Sequence, residues 1–295
     1  MKRRTLLQWS ALAAAGPVVA QPAPLTRRIP SSGEAIPRVG LGTWITFNVG
    51  QDPPARAHCA QVLRAFFEAG GRVIDSSPMY GSSQGVVGEG LKALGAQQRV
   101  FSADKVWTRS DGAAQVEASR ALWQLPSFDL LQVHNLVAWE KQLPLLRRMK
   151  ERGQLRHLGI TTSEGRRHRE FEQIMRNERL DFAQFTYNLF DREAEDRLLP
   201  LAAERGVAVL VNRPFQQGAL LRRLHGHPLP SWAAEIECTS WAQFALKFVI
   251  SHPAVTCAIP ATRRIDHVRE NLGAARGRMP DEAMRRRMAD HVAGL

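Results

Sequence analysis

The sequence predicts an α/β fold, a (β/α)8 TIM barrel, on three observations. Short apolar segments alternate with amphipathic ones from Val39 onward, the pattern of strands returned by helices into a parallel sheet. Eight such strand–helix pairs within 295 residues suit a closed barrel. The rival, an open doubly wound sheet, lacks its dinucleotide fingerprint. Gly40-Leu41-Gly42-Thr43-Trp44 has two of the three glycines, and a loop with Pro53-Pro54 follows where a helix should begin.

Residues 1–20 fall outside this pattern. Lys2-Arg3-Arg4 precedes an apolar run from Ala11 to Ala20, and Val18-Val19-Ala20 offers small residues for cleavage. The run is too short and alanine-rich for a membrane anchor. Arg3-Arg4-x-Leu6-Leu7 resembles the twin-arginine export signal, which implies the twin-arginine translocase as partner and a periplasmic destination. Residues 21–295 then form a single barrel domain.

The elements follow in order. Pro22 to Thr26 is a linker, and Leu25–Arg28, Ser31-Ser32-Gly33 and Glu34–Ile36 read as a short hairpin. Strands are expected at Val39–Leu41, Val73–Ile74, Val100–Ser102, Leu130–Val133, His157–Ile160, Phe182–Phe185, Ala208–Val211 and Cys257–Ile259. Helical periodicity marks Arg56–Ala69, Gly85–Leu94, Ala113–Leu122, Glu140–Glu151, His168–Arg176, Arg192–Glu204, Ser240–Ile250 and Arg264–Ala274. A tail helix is expected near Asp281–Val292, and Leu220–Ala234 is an excursion over the barrel mouth.

Composition narrows the function classes. Hydrophobic content of 44% with 23% charged residues fits a soluble globular chain with a sizeable core. The net charge of +12 is spread along helical segments with acids among the arginines. It favours anionic ligands and solubility rather than nucleic acid. Cys59, Cys238 and Cys257 have no CxxC spacing and sit in apolar contexts, which favours buried free thiols and leaves one disulfide among them open. His225 and His227 have no carboxylate or cysteine nearby, so no metal site is expected.

In a barrel of this kind catalytic side chains collect where strands end. The polar residues there are Asp75, Lys105, His134, Thr161-Thr162, Gln184, Asn212-Arg213 and Thr262, with Tyr80 in the loop after Asp75. The set has one coherent use. A phenol keeps its proton at neutral pH, and a neighbouring ammonium makes it a better general acid. A carboxylate keeps that lysine charged, and a histidine can orient a substrate oxygen. The product is a proton donor aimed at a polarised carbonyl. No serine, cysteine or threonine sits in an elbow suited to nucleophilic attack.

Several stretches resemble the aldo-keto reductase family, from about Ile36 to Asn271. They include Gly40-Leu-Gly-Thr-Trp44, Asp75-Ser-Ser-Pro-Met-Tyr80-Gly81, Lys105, Asp129-Leu-Leu-Gln-Val-His134, Gln184-Phe-Thr-Tyr-Asn188 and Ile259-Pro-Ala-Thr-Arg263. The resemblance implies a barrel closed at its base by the hairpin and reversible, metal-free carbonyl reduction with a nicotinamide cofactor. It implies Tyr80 as general acid, Asp75 and Lys105 as its tuning pair, and His134 as the substrate-orienting group. Cofactor contacts are implied for Gly42, Thr43, Trp44, Thr161, Thr162, Gln184, Asn212, Arg213, Pro214, Thr262, Arg263, His267, Glu270 and Asn271.

Two positions depart from the family pattern. Thr161-Thr162 stands where Ser-Asn usually holds the carboxamide, and Asn212-Arg213 where an aromatic often underlies the nicotinamide. Arg263 and Arg264 beside His267 favour NADP over NAD. Trp44, Phe47, Trp107 and Trp139 are expected to ring the mouth, favouring an apolar carbonyl compound as small-molecule substrate. Two functions emerge: an NADPH-dependent reductase of aldehydes or ketones, or an exported cofactor-binding sensor or interaction subunit with little turnover.

Overall fold

The computed structural model describes residues 23–295. The twin-arginine stretch and the boundary at residues 20 and 21 lie outside them.

The chain opens with an antiparallel hairpin, β1 (Thr26–Arg28) and β2 (Ala35–Pro37), in which Arg27 pairs with Ile36. The barrel begins with β3 (Leu41–Gly42), α1 (Pro53–Glu68), β4 (Val73–Asp75) and α2 (Ser83–Leu94). It continues through β5 (Phe101–Val106), α3 (Gly112–Trp123), β6 (Phe128–Val133) and α4 (Trp139–Glu151). Then come β7 (Leu155–Thr161), α5 (His168–Asn177), β8 (Phe182–Thr186) and α6 (Leu198–Arg205). The last elements are β9 (Ala208–Asn212), α7 (Ala219–Leu224), α8 (Trp241–Ser251), β10 (Val255–Ala258), α9 (Ile265–Gly273) and α10 (Glu282–Ala293). Strands β3 to β10 form one eight-stranded parallel sheet in sequence order. Bridges from Val39 to Ala258 and from Gly42 to Ala261 close it into the expected barrel. Here Gly42 has no room for a side chain: a Cβ would stand 2.8 Å from the carbonyl oxygen of Ile259.

Hydrophobic burial occurs in two shells. One lies between the barrel and its helices. The other fills the barrel, where Val73, Phe101, Leu130, Phe182, Ala208 and Cys257 point inward from six of the eight strands. Ile29 and Ile36 of the hairpin join this inner shell with no exposed surface, so the hairpin plugs the base. Each such aliphatic side chain stabilises the fold by about 1.5–3 kcal/mol. With the base sealed, the C-terminal ends of the strands are the accessible end.

Two expected elements change. The third barrel strand runs to Val106, so Lys105 lies within β5. Its period of two turns Lys105 inward with Phe101 and Ala103. The helix expected over Arg192–Glu204 is broken into a 3-10 turn at Glu193–Glu195 and the shorter α6. Pro200 explains the break, since a proline fits the first turn of a helix and not its interior. The same logic opens α1, where Asp52 caps Ala55 N–H and Pro53-Pro54 occupies the first turn.

The excursion after β9 contains α7 and a 3-10 segment at Ser231–Ile236. All three cysteines are free and buried. Among the described residues, no helix is long and apolar enough to cross a membrane.

Candidate active site

Asp75 ends β4 at the open end of the barrel and is 2% exposed. Its Oδ2 accepts a hydrogen bond from Lys105 Nζ at 2.6 Å, and its Oδ1 accepts one from Gln184 Nε2 at 2.8 Å. Lys105 Nζ also donates to the Ser76 carbonyl at 2.7 Å. Burial opposes the charge on Lys105, but Asp75 and Tyr80 outweigh it and hold the ammonium above its ordinary pKa.

The loop after Asp75 returns Tyr80 over this pair. Tyr80 N–H donates to Ser77 O at 2.9 Å, and Gly81 follows with φ of 60°. A Cβ on Gly81 would collide with the Asn48 amide, whose Oδ1 accepts from Ser82 N–H at 3.0 Å. Lys105 Nζ lies 4.9 Å from the centroid of the Tyr80 ring. The phenol pKa is nonetheless raised, because burial outweighs the ammonium. The ammonium offsets part of the rise, and the phenol remains a held proton.

His134 follows β6 directly, and its ring meets Tyr80 edge-on with centroids 5.7 Å apart. Nδ1 is 2.8 Å from Ser77 Oγ, and the ring lines the cavity. Burial, then Lys105 and Arg166, push its pKa well below the ordinary value, so the imidazole is neutral at neutral pH.

Above these groups is a cavity of about 410 Å³. It gathers Asp75, Tyr80 and His134 with most of the residues expected at a cofactor: Gly42, Thr43, Trp44, Thr161, Thr162, Gln184, Asn212, Arg213, Pro214, Thr262, His267, Glu270 and Asn271. Lys105 lies beneath its floor, fully buried. Several of these side chains already have partners. Thr43 Oγ1 bonds the Asp75 carbonyl and Ser76 Oγ, both at 2.9 Å. Thr162 Oγ1 donates to Arg166 O at 2.5 Å. Asn212 Nδ2 donates to Thr162 O at 2.8 Å, and its Oδ1 accepts from Thr186 at 2.7 Å. Asn212 thus ties β7, β8 and β9 together where the family often has a stacking ring.

Four expected residues are elsewhere. Phe47 is in the core with no exposure, because Phe47 N–H bonds Thr43 O at 3.1 Å and folds the loop inward. Trp139 starts α4 and donates its indole N–H to Glu170 at 3.0 Å. Trp107 is 42% exposed, its backbone clasped by the Gln115 amide. Arg263 is exposed and off the cavity, and the neighbouring Arg264 pairs with Asp266. Of the expected aromatic ring only Trp44 lines the cavity.

The cavity wall also holds residues not singled out from sequence. Glu164 pairs with Arg213 at 2.6 Å and with Arg166 at 2.8 Å. Asn135, with φ of 51°, directly follows His134, and its N–H donates to Thr161 Oγ1 at 3.1 Å. Phe215 and Leu221 add apolar surface from the β9–α7 segment. The run Ser163-Glu164-Gly165-Arg166 reads as an ordinary charged loop, and only the fold brings it to the mouth.

The arrangement is that of a (β/α)8-barrel protein with its polar site over the C-terminal ends of the strands. The model of the aldo/keto reductase family matches residues 38–289, and the chain belongs to that family. It is 30% identical over 255 residues to methylglyoxal reductase YeaE of Escherichia coli, covering 83% of this chain and 88% of that protein. It is 27% identical over 218 residues to an NADH-specific methylglyoxal reductase of Escherichia coli, covering 62% of this chain and 65% of the other. Among solved structures, an aldo/keto reductase from Klebsiella pneumoniae in complex with NADP and acetate matches with a TM-score of 0.77 at 25% identity, covering 90% of this chain and 95% of that one. An aldo-keto reductase from Klebsiella pneumoniae in complex with NADPH matches with a TM-score of 0.75 at 26% identity, covering 92% and 95%.

Proposed function

We propose that the protein reduces an aldehyde or ketone to an alcohol with NADPH, Tyr80 giving the proton. The observation that carries this reading is the Tyr80 phenol set over the Lys105–Asp75 ion pair, with neutral His134 edge-on beside it. The chain's residues fit a nicotinamide nucleotide. Gln184 gives its amide N–H to Asp75 and, among the described residues, leaves Oε1 without a partner beside the cavity, which Asn135 also lines. His267, Glu270 and Asn271 of α9 line the same space. Bound there, the cofactor supplies a hydride.

The chain does the rest. Tyr80 holds a proton at neutral pH, Lys105 stabilises the phenolate left when it departs, and Asp75 with Ser76 O keeps Lys105 in place. His134, neutral and wedged beside Tyr80, orients the carbonyl oxygen. The NADP and NADPH complexes of the two Klebsiella proteins support NADP as the cofactor. The methylglyoxal reductases among the relatives support a small carbonyl substrate.

We read residues 1–20 as the twin-arginine signal and residues 21–295 as one exported domain, on the strength of Arg3-Arg4 before the apolar run. Replacing both arginines with lysine and fractionating the cells tests this: retention in the cytoplasm supports export, and unchanged distribution contradicts it. The enzymatic reading is tested by steady-state oxidation of excess NADPH in the presence of methylglyoxal. Many turnovers support a reductase; oxidation that stops at one equivalent points to a sensor or carrier.

A further inference from the structure

Ser77 Oγ, with no exposed surface, stands 2.8 Å from His134 Nδ1. The same oxygen already accepts Met79 N–H at 3.2 Å. A hydroxyl has one proton to give, and among the described residues Ser77 Oγ has no other acceptor. If Nδ1 carried the imidazole proton, Oγ would accept twice and its own proton would be buried without a partner, which is unfavourable. The opposite assignment satisfies every group: Ser77 donates to a bare Nδ1, and the imidazole proton sits on Nε2. That nitrogen has no hydrogen-bond partner among the described residues, and His134 lines the cavity.

We propose that Ser77 is a positioning residue that fixes His134 as the Nε2–H tautomer, so that the imidazole offers the substrate oxygen a donor and not a base. This role rests on the carbonyl-reducing reading above. It gives that reading a second convergent donor: the Tyr80 hydroxyl and His134 Nε2–H arrive from two strand ends, held by one loop, since Ser77 and Tyr80 are joined by the bond from Tyr80 N–H to Ser77 O. The opposite tautomer would aim a lone pair at the carbonyl oxygen and repel it.

The test uses proton–nitrogen long-range correlation spectra of histidine-labelled protein at neutral pH, with the His134 signal assigned by its loss in His134→Gln. The wild type is expected to show a protonated Nε2 and a bare Nδ1, Ser77→Ala a mixture of tautomers, and Ser77→Thr the wild-type pattern. In parallel, Ser77→Ala should lower kcat for carbonyl reduction by roughly 10- to 100-fold, the range seen when metal-bound imidazoles lose the partner of their other ring nitrogen. NADPH affinity should be unchanged, and Ser77→Thr should recover most of the rate. A protonated Nδ1 in the wild type, an unaltered tautomer in Ser77→Ala, or a tautomer shift without loss of kcat overturns the proposal. The spectra decide the tautomer even if the wild type reduces no carbonyl, so failure of the reductase reading is seen separately.

Discussion

Lys105 Nζ lies 2.6 Å from Asp75 Oδ2, and the two side chains keep only 0% and 3% of their surface exposed. Burying two charges is unfavourable unless each is fully engaged. Here Gln184 and Ser76 O supply the remaining partners.

The pair therefore depends on both members. Lys105→Met should destabilise the fold by about 3–5 kcal/mol, since it strands a buried carboxylate. The double variant Lys105→Met with Asp75→Leu should recover part of that loss. Urea unfolding measures both, and equal destabilisation of the single and double variants contradicts the account.

Asp104 gives a pH-dependent prediction. It faces away from Lys105 into the helix layer, fully buried, with Gln84 Nε2 donating to Oδ2 at 2.6 Å and its own neighbour's N–H to Oδ1 at 2.9 Å. Burial outweighs these bonds and pushes its pKa up from 3.8 to about 7. Between those values the folded chain holds a proton the unfolded chain releases, so this group's contribution to stability falls as pH rises toward 7 and stays low above it. Asp104→Asn, with the Gln84 amide turned over, should stabilise the protein at pH above 8, by at most about 4 kcal/mol. The gain should shrink as pH falls through the weakly acidic range. Chemical unfolding across that range checks the trend.

Gly81 fixes where Tyr80 can be. Ala at this position must adopt φ near 60° and press on the Asn48 amide. Gly81→Ala should cost about 1–2 kcal/mol of stability and lower kcat more than it raises KM, because the phenol moves. Thermal melts and steady-state kinetics separate the two effects.

Asn212 joins the Thr162 carbonyl to the Thr186 hydroxyl across three strand ends. Asn212→Ala removes two hydrogen bonds worth about 1 kcal/mol each and frees the Thr161-Thr162 loop. NADPH binding, followed by quenching of tryptophan fluorescence, should weaken several-fold. Unchanged affinity would show that this tie does not shape the cofactor side of the cavity.

The barrel and its polar cluster were legible because both follow local rules. Strand–helix alternation states the fold, and Asp75, Tyr80, Lys105 and His134 stand at or near strand ends in the right order. What the sequence hid depends on where loops turn. Phe47 and Trp139 look like rim aromatics until the Thr43–Phe47 turn and the Trp139–Glu170 bond direct them elsewhere. Glu164 and Arg166 look like surface charges until the β7 loop folds over the cavity. The sign of the Tyr80 shift was hidden for a related reason: the ammonium is visible in the order of residues, but the burial that outweighs it exists only in three dimensions.

The most direct measurement is the rate of NADPH oxidation with methylglyoxal by the wild type and by Tyr80→Phe, which removes the hydroxyl alone. The account predicts sustained turnover by the wild type and a loss of roughly 100-fold or more in kcat for Tyr80→Phe, with NADPH affinity preserved. A Tyr80→Phe protein that reduces the carbonyl at the wild-type rate would contradict it.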